Sequence, residues 1–328
     1  MKKRILTLTL IAALMALLLV GCGAQEQETA DFTELEEPGA MVDLGALLDD
    51  AVPLTSAPVS SMLSTSAPGT LVKGNSSALV DYSNANDGYV MAKWLAGGTN
   101  RVKVLVKGPS GTTYQYNLNL NGSYEAFPLS DGSGAYTVGI YKNTSGTQYA
   151  TILNTSVNAS LTDEFAPFLR PNQYVNYSAD STTVAKASEL CAGASDNLDK
   201  VARVYTYVVH NITYDKQKAG SVTSGYLPNV DETLATGKGI CFDYAALMAA
   251  MLRSQGVPVK LVVGYTGSAY HAWLSVYSET AGWVESKIYF NGNEWKLMDP
   301  TFASTANSSD RVMEYIGNGA NYSAKYLY

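Results

Sequence analysis

Cys241 follows the run Gly237-Lys238-Gly239-Ile240 and opens an apolar stretch, Phe242 to Gln255, that reads as a helix. A thiol at a helix start faces the positive end of the helix dipole, which lowers its pKa and favours thiolate. The same turn offers backbone N–H groups to a developing oxyanion. Gly237 and Gly239 permit the tight backbone that leads into it. A thiolate nucleophile usually needs a histidine, and the chain has two, His210 and His271. His271 heads a predicted strand after a Gly/Ser-containing turn, a rim position that suits a general base. His210 ends an amphipathic helix, where its charge would favour the helix C-terminus. Asp299 ends a predicted strand just after the hairpin turn Asn291-Gly292-Asn293, adjacent to the strand of His271. There its carboxylate could fix the imidazole tautomer and stabilise imidazolium. Taken singly, each residue has a plain structural reading: a buried cysteine, a satisfied histidine, a turn aspartate before Pro300. The three in this order are much more specific.

The elements that must position them can be read from periodicity and punctuation. Thr182 to Leu190 reads as a helix. Asp196 to His210 reads as an amphipathic one, with Leu198, Val201, Tyr205, Val208 and Ile212 at spacings of three and four. Ser195 or Asp196 can cap its start. Ile212-Thr213-Tyr214-Asp215 follows, then a loop to about Asn229. Gly256 and Pro258 stop the Cys241 helix. Strands are expected over Val259 to Tyr265, His271 to Tyr277, Lys287 to Phe290 and Trp295 to Met298.

With these motifs in place, the chain resembles the transglutaminase-like superfamily. The resemblance rests on Gly237-Lys238-Gly239-Ile240-Cys241-Phe242-Asp243-Tyr244-Ala245, on His271-Ala272-Trp273 and on Asp299-Pro300-Thr301. Ile212-Thr213-Tyr214-Asp215 is similar to the family's upstream segment. The likeness covers about residues 175–305. It implies an α+β class and a papain-like fold, with Cys241 on a helix and His271 and Asp299 on an antiparallel sheet. It also implies attack of a thiolate on an amide carbonyl, a thioester, and release of an amine. Water then gives hydrolysis, and an amine gives transamidation. Asp243 would be structural, bonding a loop backbone. Tyr214 would line the pocket or assist the oxyanion hole. Trp273 is expected to pack under the His271 strand.

Residues 76–160 read as six or so short strands with turns at Gly108-Pro109-Ser110-Gly111, Asn121-Gly122 and Asp131-Gly132, a small all-β sandwich preceding the core. They form a spacer or interaction module, with wall or carbohydrate contact as the other reading and Trp94 and exposed Tyr as sugar-stacking candidates. Residues 23–75 hold nine acidic side chains and one Lys, then a Ser, Thr, Ala and Pro-rich run, a mobile tether. Residues 1–21 read as a secretory signal. Leu19-Val20-Gly21-Cys22 resembles a bacterial lipobox, which implies cleavage before Cys22 and its lipidation. A plain signal peptide and an N-terminal anchor helix are the alternatives. The C-terminal domain then spans 161–328.

Hydrophobic residues make up 46% and charged residues 16%, which excludes a mainly disordered chain. The formal charge is −7, most of it in the tether, and no basic stripe points to nucleic acid. Cys191, among Ala, Leu and Gly, reads as a small buried hydrophobe, and the cysteines are too few for a disulfide framework. No cofactor is indicated: there is no EF-hand spacing for calcium, and the His and Cys count argues against zinc. The expected protein is a cysteine-nucleophile enzyme, a protease, amidase or acyltransferase, acting on proteins or peptides at the extracytoplasmic face of the cell membrane. The alternative is a non-catalytic binding or scaffold lipoprotein on the same fold.

Overall fold

The computed structural model describes residues 62–278, 282–284 and 321–328. Cys22, the tether as far as residue 61 and the hairpin that leads to Asp299 lie outside the described residues. Residues 62–75, read from sequence as tether, instead belong to the first unit: Val72–Gly74 forms a strand, and Gly69 N donates to Asp81 Oδ2 at 2.7 Å. The chain divides into two compact units: Ser61–Ala179 with Tyr326–Tyr328, and a second that contains Asp180–Lys325.

The first unit is built from strands with alternating burial. One sheet has β1 (Val72–Gly74), β2 (Ala78–Asp81), β3 (Tyr89–Trp94) and β6 (Glu125–Pro128) in the order β1-β2-β3-β6. The other has β4 (Val102–Lys107), β5 (Thr113–Leu118), β7 (Gly134–Ser145) and β8 (Gln148–Ala159) in the order β5-β4-β7-β8. All of these pairings are antiparallel. Val102, Val104 and Val106 point inward while Lys103 and Lys107 point out, the period of two that a half-buried strand requires. Tyr116 of β5 meets Phe127 of β6 edge-on at 4.9 Å, so the two sheets face each other as a sandwich. The segment after β8 packs on this unit: Tyr174 stacks on Tyr116 at 5.6 Å, and Tyr328 joins Tyr174 at 4.5 Å. Trp94 is 1% exposed and donates its indole N–H to Gly97 O at 2.8 Å. Its ring therefore fills the core and is not available to stack on a sugar, contrary to the sequence expectation. The strands β1, β2 and β8 were not expected from sequence.

The second unit starts with α1 (Thr182–Cys191), α2 (Asn197–Asn211), β9 (Thr213–Tyr214), α3 (Lys216–Ser221) and α4 (Val230–Thr236). It continues with β10 (Lys238–Gly239), α5 (Cys241–Ser254), β11 (Val259–Thr266), β12 (Ala269–Ser278), β13 (Gly282–Val284) and β14 (Tyr322–Leu327). The main sheet runs β13-β12-β11-β14, and β9 and β10 form a two-stranded parallel ladder. Every residue of α5 is buried, and it packs on α1, α2, α4, β11 and β12. A mostly apolar helix buried on every side belongs in a centre, with Asp243 and Arg253 near its two ends as its buried charges. Asp196 caps α2 by accepting from Asp199 N at 2.9 Å. Asp231 of α4 accepts from Thr183 N at 2.8 Å and so caps α1 from another element. Gly256, at φ 79°, follows the end of α5 in the left-handed region. Arg253 on that helix donates to Val259 O at 2.7 and 3.0 Å, tying the helix end to β11. Fold class is as read: α+β, with a helix-and-sheet core preceded by an all-β unit.

Candidate active site

Cys241 is the first residue of α5, and the turn before it has two distinct devices. Gly237 ends α4 at φ 62°, a left-handed conformation that favours glycine. Gly239 is needed for space, since a Cβ there would come within 2.6 Å of Asp243 Cβ. The ladder of β9 and β10 sets Tyr214 opposite Gly239, with Thr213 N donating to Gly237 O at 2.8 Å and Asp215 N to Gly239 O at 2.9 Å. Tyr214 is thereby held beside the approach to Cys241. Burial, and then the negative charges of Asp243 and Asp215, push its phenol up to about 12. It is neutral at physiological pH and keeps a proton to donate.

Asp243, one turn into the helix, has no exposed surface. Its Oδ2 accepts from Ile240 N at 2.9 Å, which satisfies an orphan donor at the helix start. The same oxygen lies 2.8 Å from Lys218 Nζ, and Oδ1 accepts the Tyr226 hydroxyl proton. Lys218 Nζ also lies 4.7 Å from the centre of the Tyr226 ring. Burial and Asp243 raise the Tyr226 phenol above its ordinary value, so it stays protonated. Lys218 lines, with Asp215, Glu232, Thr236 and Lys238, a cleft of about 320 Å³ whose lining does not include Cys241.

His271 is the third residue of β12, 5% exposed, and pairs across the ladder with Gly264. The strand begins two residues earlier than the sequence implied, after the two-residue turn Gly267-Ser268. The Trp273 ring lies 6.3 Å from the imidazole and nearly parallel to it, and Tyr322 meets Trp273 edge-on at 5.2 Å. Because α5 packs on β12, the helix of Cys241 and the strand of His271 belong to one core. His210 is different: exposed on α2, with Nδ1 2.7 Å from Thr206 O of its own helix.

Residues 184–300 match the family model described as the transglutaminase-like superfamily. This stretch is a transglutaminase-like core. The mouse (Mus musculus) kyphoscoliosis peptidase is 29% identical over 153 residues, which is 42% of this chain and 21% of that protein. A Bacillus subtilis (strain 168) protein of uncharacterised function, YebA, is 31% identical over 110 residues, 27% of this chain and 15% of that one. The chain thus spans about a fifth or less of these curated relatives. A solved structure of a Cytophaga hutchinsonii protein, provisionally described as a cysteine protease, superposes with a TM-score of 0.36 at 14% identity, covering 73% of this chain and 83% of that one.

Within the transglutaminase-like core, Cys241, Asp243 and Tyr214 share one turn and its neighbouring ladder, and His271 and Trp273 share one strand. Asp299 and Cys22 lie outside the described residues. Lys218 and Tyr226 are the site residues that sequence reading missed. They stand in what reads as loop, and no periodicity relates positions 218 and 226 to 243. Among the described residues no group of three His, Cys, Asp or Glu side chains is placed to hold a metal ion. No described helix is long and apolar enough to cross a membrane.

Proposed function

We propose that the chain is a cysteine-nucleophile enzyme that acts on amide bonds of proteins or peptides through a thioester. One observation carries the reading: within the family-matched stretch, Cys241 is the first residue of a buried helix that packs on the strand of His271. Cys241 as thiolate attacks the carbonyl carbon, while N–H groups at the α5 start and the neutral Tyr214 hydroxyl stabilise the oxyanion. His271 as imidazolium gives its proton to the departing nitrogen, the C–N bond breaks, and a thioester remains. His271 then takes a proton from water, and hydrolysis restores the thiol. A primary amine in place of water gives a new amide. Asp299 is assigned the carboxylate that orients His271. Trp273 packs against the imidazole and limits its rotamers. The thioester is open to water and to an amine alike, so hydrolysis and transamidation both belong to this reading.

The enzyme is further proposed to sit at the extracytoplasmic face of the membrane, anchored through lipid on Cys22. The β unit would be a spacer or interaction module, with wall or carbohydrate contact as the other reading. Labelled fatty acid should enter the parent protein and not Cys22→Ser, and equal labelling would remove the anchor. For the chemistry, incubation with Gln-containing peptides should leave an acyl adduct of intact mass on the parent and none on Cys241→Ala. Absence of an adduct, together with an ordinary thiol pKa of about 8.5 at Cys241, would leave a non-catalytic scaffold.

A further inference from the structure

We infer that Lys218 and Tyr226 are positioning residues for Cys241, acting through Asp243 as a latch between the 216–229 segment and the start of α5. The inference rests on Cys241 being the nucleophile. The segment has little core of its own: Leu227 is 39% exposed, and most of 220–229 is at the surface. Three contacts converge on one buried carboxylate instead. Ile240 N–H and the Lys218 ammonium share Oδ2, and the Tyr226 hydroxyl holds Oδ1. Ile240 directly precedes Cys241, so the oxygen that takes the ammonium is the one that fixes the backbone entering the nucleophile. A Cβ built at Gly239 would come within 2.6 Å of Asp243 Cβ, so the backbone that leads to Cys241 runs close beside this side chain. Tyr214, two residues before α3, is on the same segment and pairs with Gly239. The Lys218 and Tyr226 contacts to Asp243 thus add side-chain ties from the 216–229 segment to the turn that carries Cys241, beside the backbone ladder that holds Tyr214 there. A buried carboxylate that loses its ammonium must re-solvate or move, and here it cannot move without dragging the Ile240–Cys241 backbone.

The test compares the full-length protein with Lys218→Met, Tyr226→Phe, Asp243→Asn and the double variant Lys218→Met/Asp243→Asn. The first readout, on protein kept reduced so that the Cys241 thiol is free, is the rate of Cys241 alkylation by iodoacetamide from mildly acidic to mildly alkaline pH, assigned by peptide mass so that Cys191 does not contribute. The second is amide hydrogen exchange over 216–229 and 237–244. Lys218→Met should slow Cys241 alkylation about tenfold and displace its pH profile, with faster exchange in both segments, and Tyr226→Phe should slow it about threefold. The double variant should be no slower than the slower single, because both changes open one contact. If Lys218→Met fails to fold, Tyr226→Phe and Asp243→Asn carry the test. Faster exchange confined to 216–229, with Cys241 keeping the parent rate and profile, overturns the inference. An ordinary thiol profile in the parent, with 237–244 still loosened by Lys218→Met, keeps the latch and removes the nucleophile reading.

Discussion

Each unit of the protein buries a carboxylate, and the two are not alike. Asp81 in β2 is 2% exposed and accepts from Gly69 N at 2.7 Å and Ser83 N at 2.9 Å. Asp243 in α5 is equally buried but holds an ammonium, a phenol and one backbone N–H. Asp81 replaces water with backbone donors and closes a turn of the sandwich. Asp243 gathers polar and charged partners at the helix start that carries Cys241. Burial of a charge alone therefore does not mark a site, because both are costly and both are compensated. What marks one is the kind of partner and the chemistry of the adjacent residue.

The strongest way to sharpen the contrast is to measure turnover. His271→Ala and Asp299→Asn should lower the rate on an amide substrate by roughly four orders of magnitude, with the fold retained in Asp299→Asn because the side chains are nearly isosteric. Asp81→Asn should leave that rate unchanged. His210→Ala should alter only stability, by at most about 1 kcal/mol, since its ring is exposed and bonds Thr206 O of its own helix. A His210→Ala variant that silences the thiol while His271→Ala does not would transfer the base to the wrong helix and end this assignment.

Stability separates the carboxylates next. Asp243→Ala leaves the Ile240 N–H and the Tyr226 hydroxyl without their acceptor and removes the partner of the partly exposed Lys218 ammonium, and should cost about 2–4 kcal/mol in denaturant unfolding of the second unit. Asp81→Ala strands backbone donors only and should cost about 1–3 kcal/mol in the first. Equal losses would erase the distinction.

A pH prediction follows from Cys191, which packs in α1. Burial raises its thiol to about 11 from 9.0. In the unfolded chain the thiol ionises near 9.0, while the folded chain keeps its proton up to about 11. The folded state binds more protons across that window, so the thiol's contribution to stability is intact below it and falls as pH rises through it. Cys191→Ala should be less sensitive over the same range when midpoints are compared. A parallel pair of curves would show that the thiol titrates normally.

Much of this was legible because it is local. The α2 pattern of Val201, Tyr205 and Val208, the apolar run of α5, and the Gly256–Pro258 stop are short-range signals, and each element lies within two residues of its expected bounds. The Cys241 turn was legible for the same reason. The short strands β1 and β2 were not, since Val72-Lys73-Gly74 has no alternation over enough residues to show. In β8 the run Thr151-Ile152-Leu153-Asn154 is interrupted by polar residues facing solvent, which conceals a strand of 12 residues. The helices α3 and α4 are six and seven residues long, and their caps, Asp215 and Asn229, also serve turns. Trp94 was misread because amphipathic aromatics look alike in sequence whether they stack on a ligand or fill a core. The latch on Asp243 is invisible in sequence because its partners come from separate elements.

The smallest effect is expected inside the first unit, on two tyrosines of one strand that both point inward. Tyr114 donates its hydroxyl to Asp131 Oδ1 at 2.8 Å, and Tyr116 Oη, fully buried, has no hydrogen-bond partner among the described residues. Burial raises both phenols, so both are neutral at any working pH. Tyr114→Phe removes a bond to a carboxylate and leaves Asp131 short of one donor, a loss of about 1.5–3 kcal/mol. Tyr116→Phe removes only an oxygen that was desolvated without return. The ring keeps its edge contact with Phe127 at 4.9 Å and its stack with Tyr174 at 5.6 Å. Its unfolding free energy should stay within about 1 kcal/mol of the parent, on the stabilising side. The measurement is denaturant unfolding of the two single variants, followed by tyrosine fluorescence and circular dichroism. If Tyr116→Phe costs as much as Tyr114→Phe, the Tyr116 hydroxyl has a partner in the folded protein, and the sandwich core is more polar than its side chains imply.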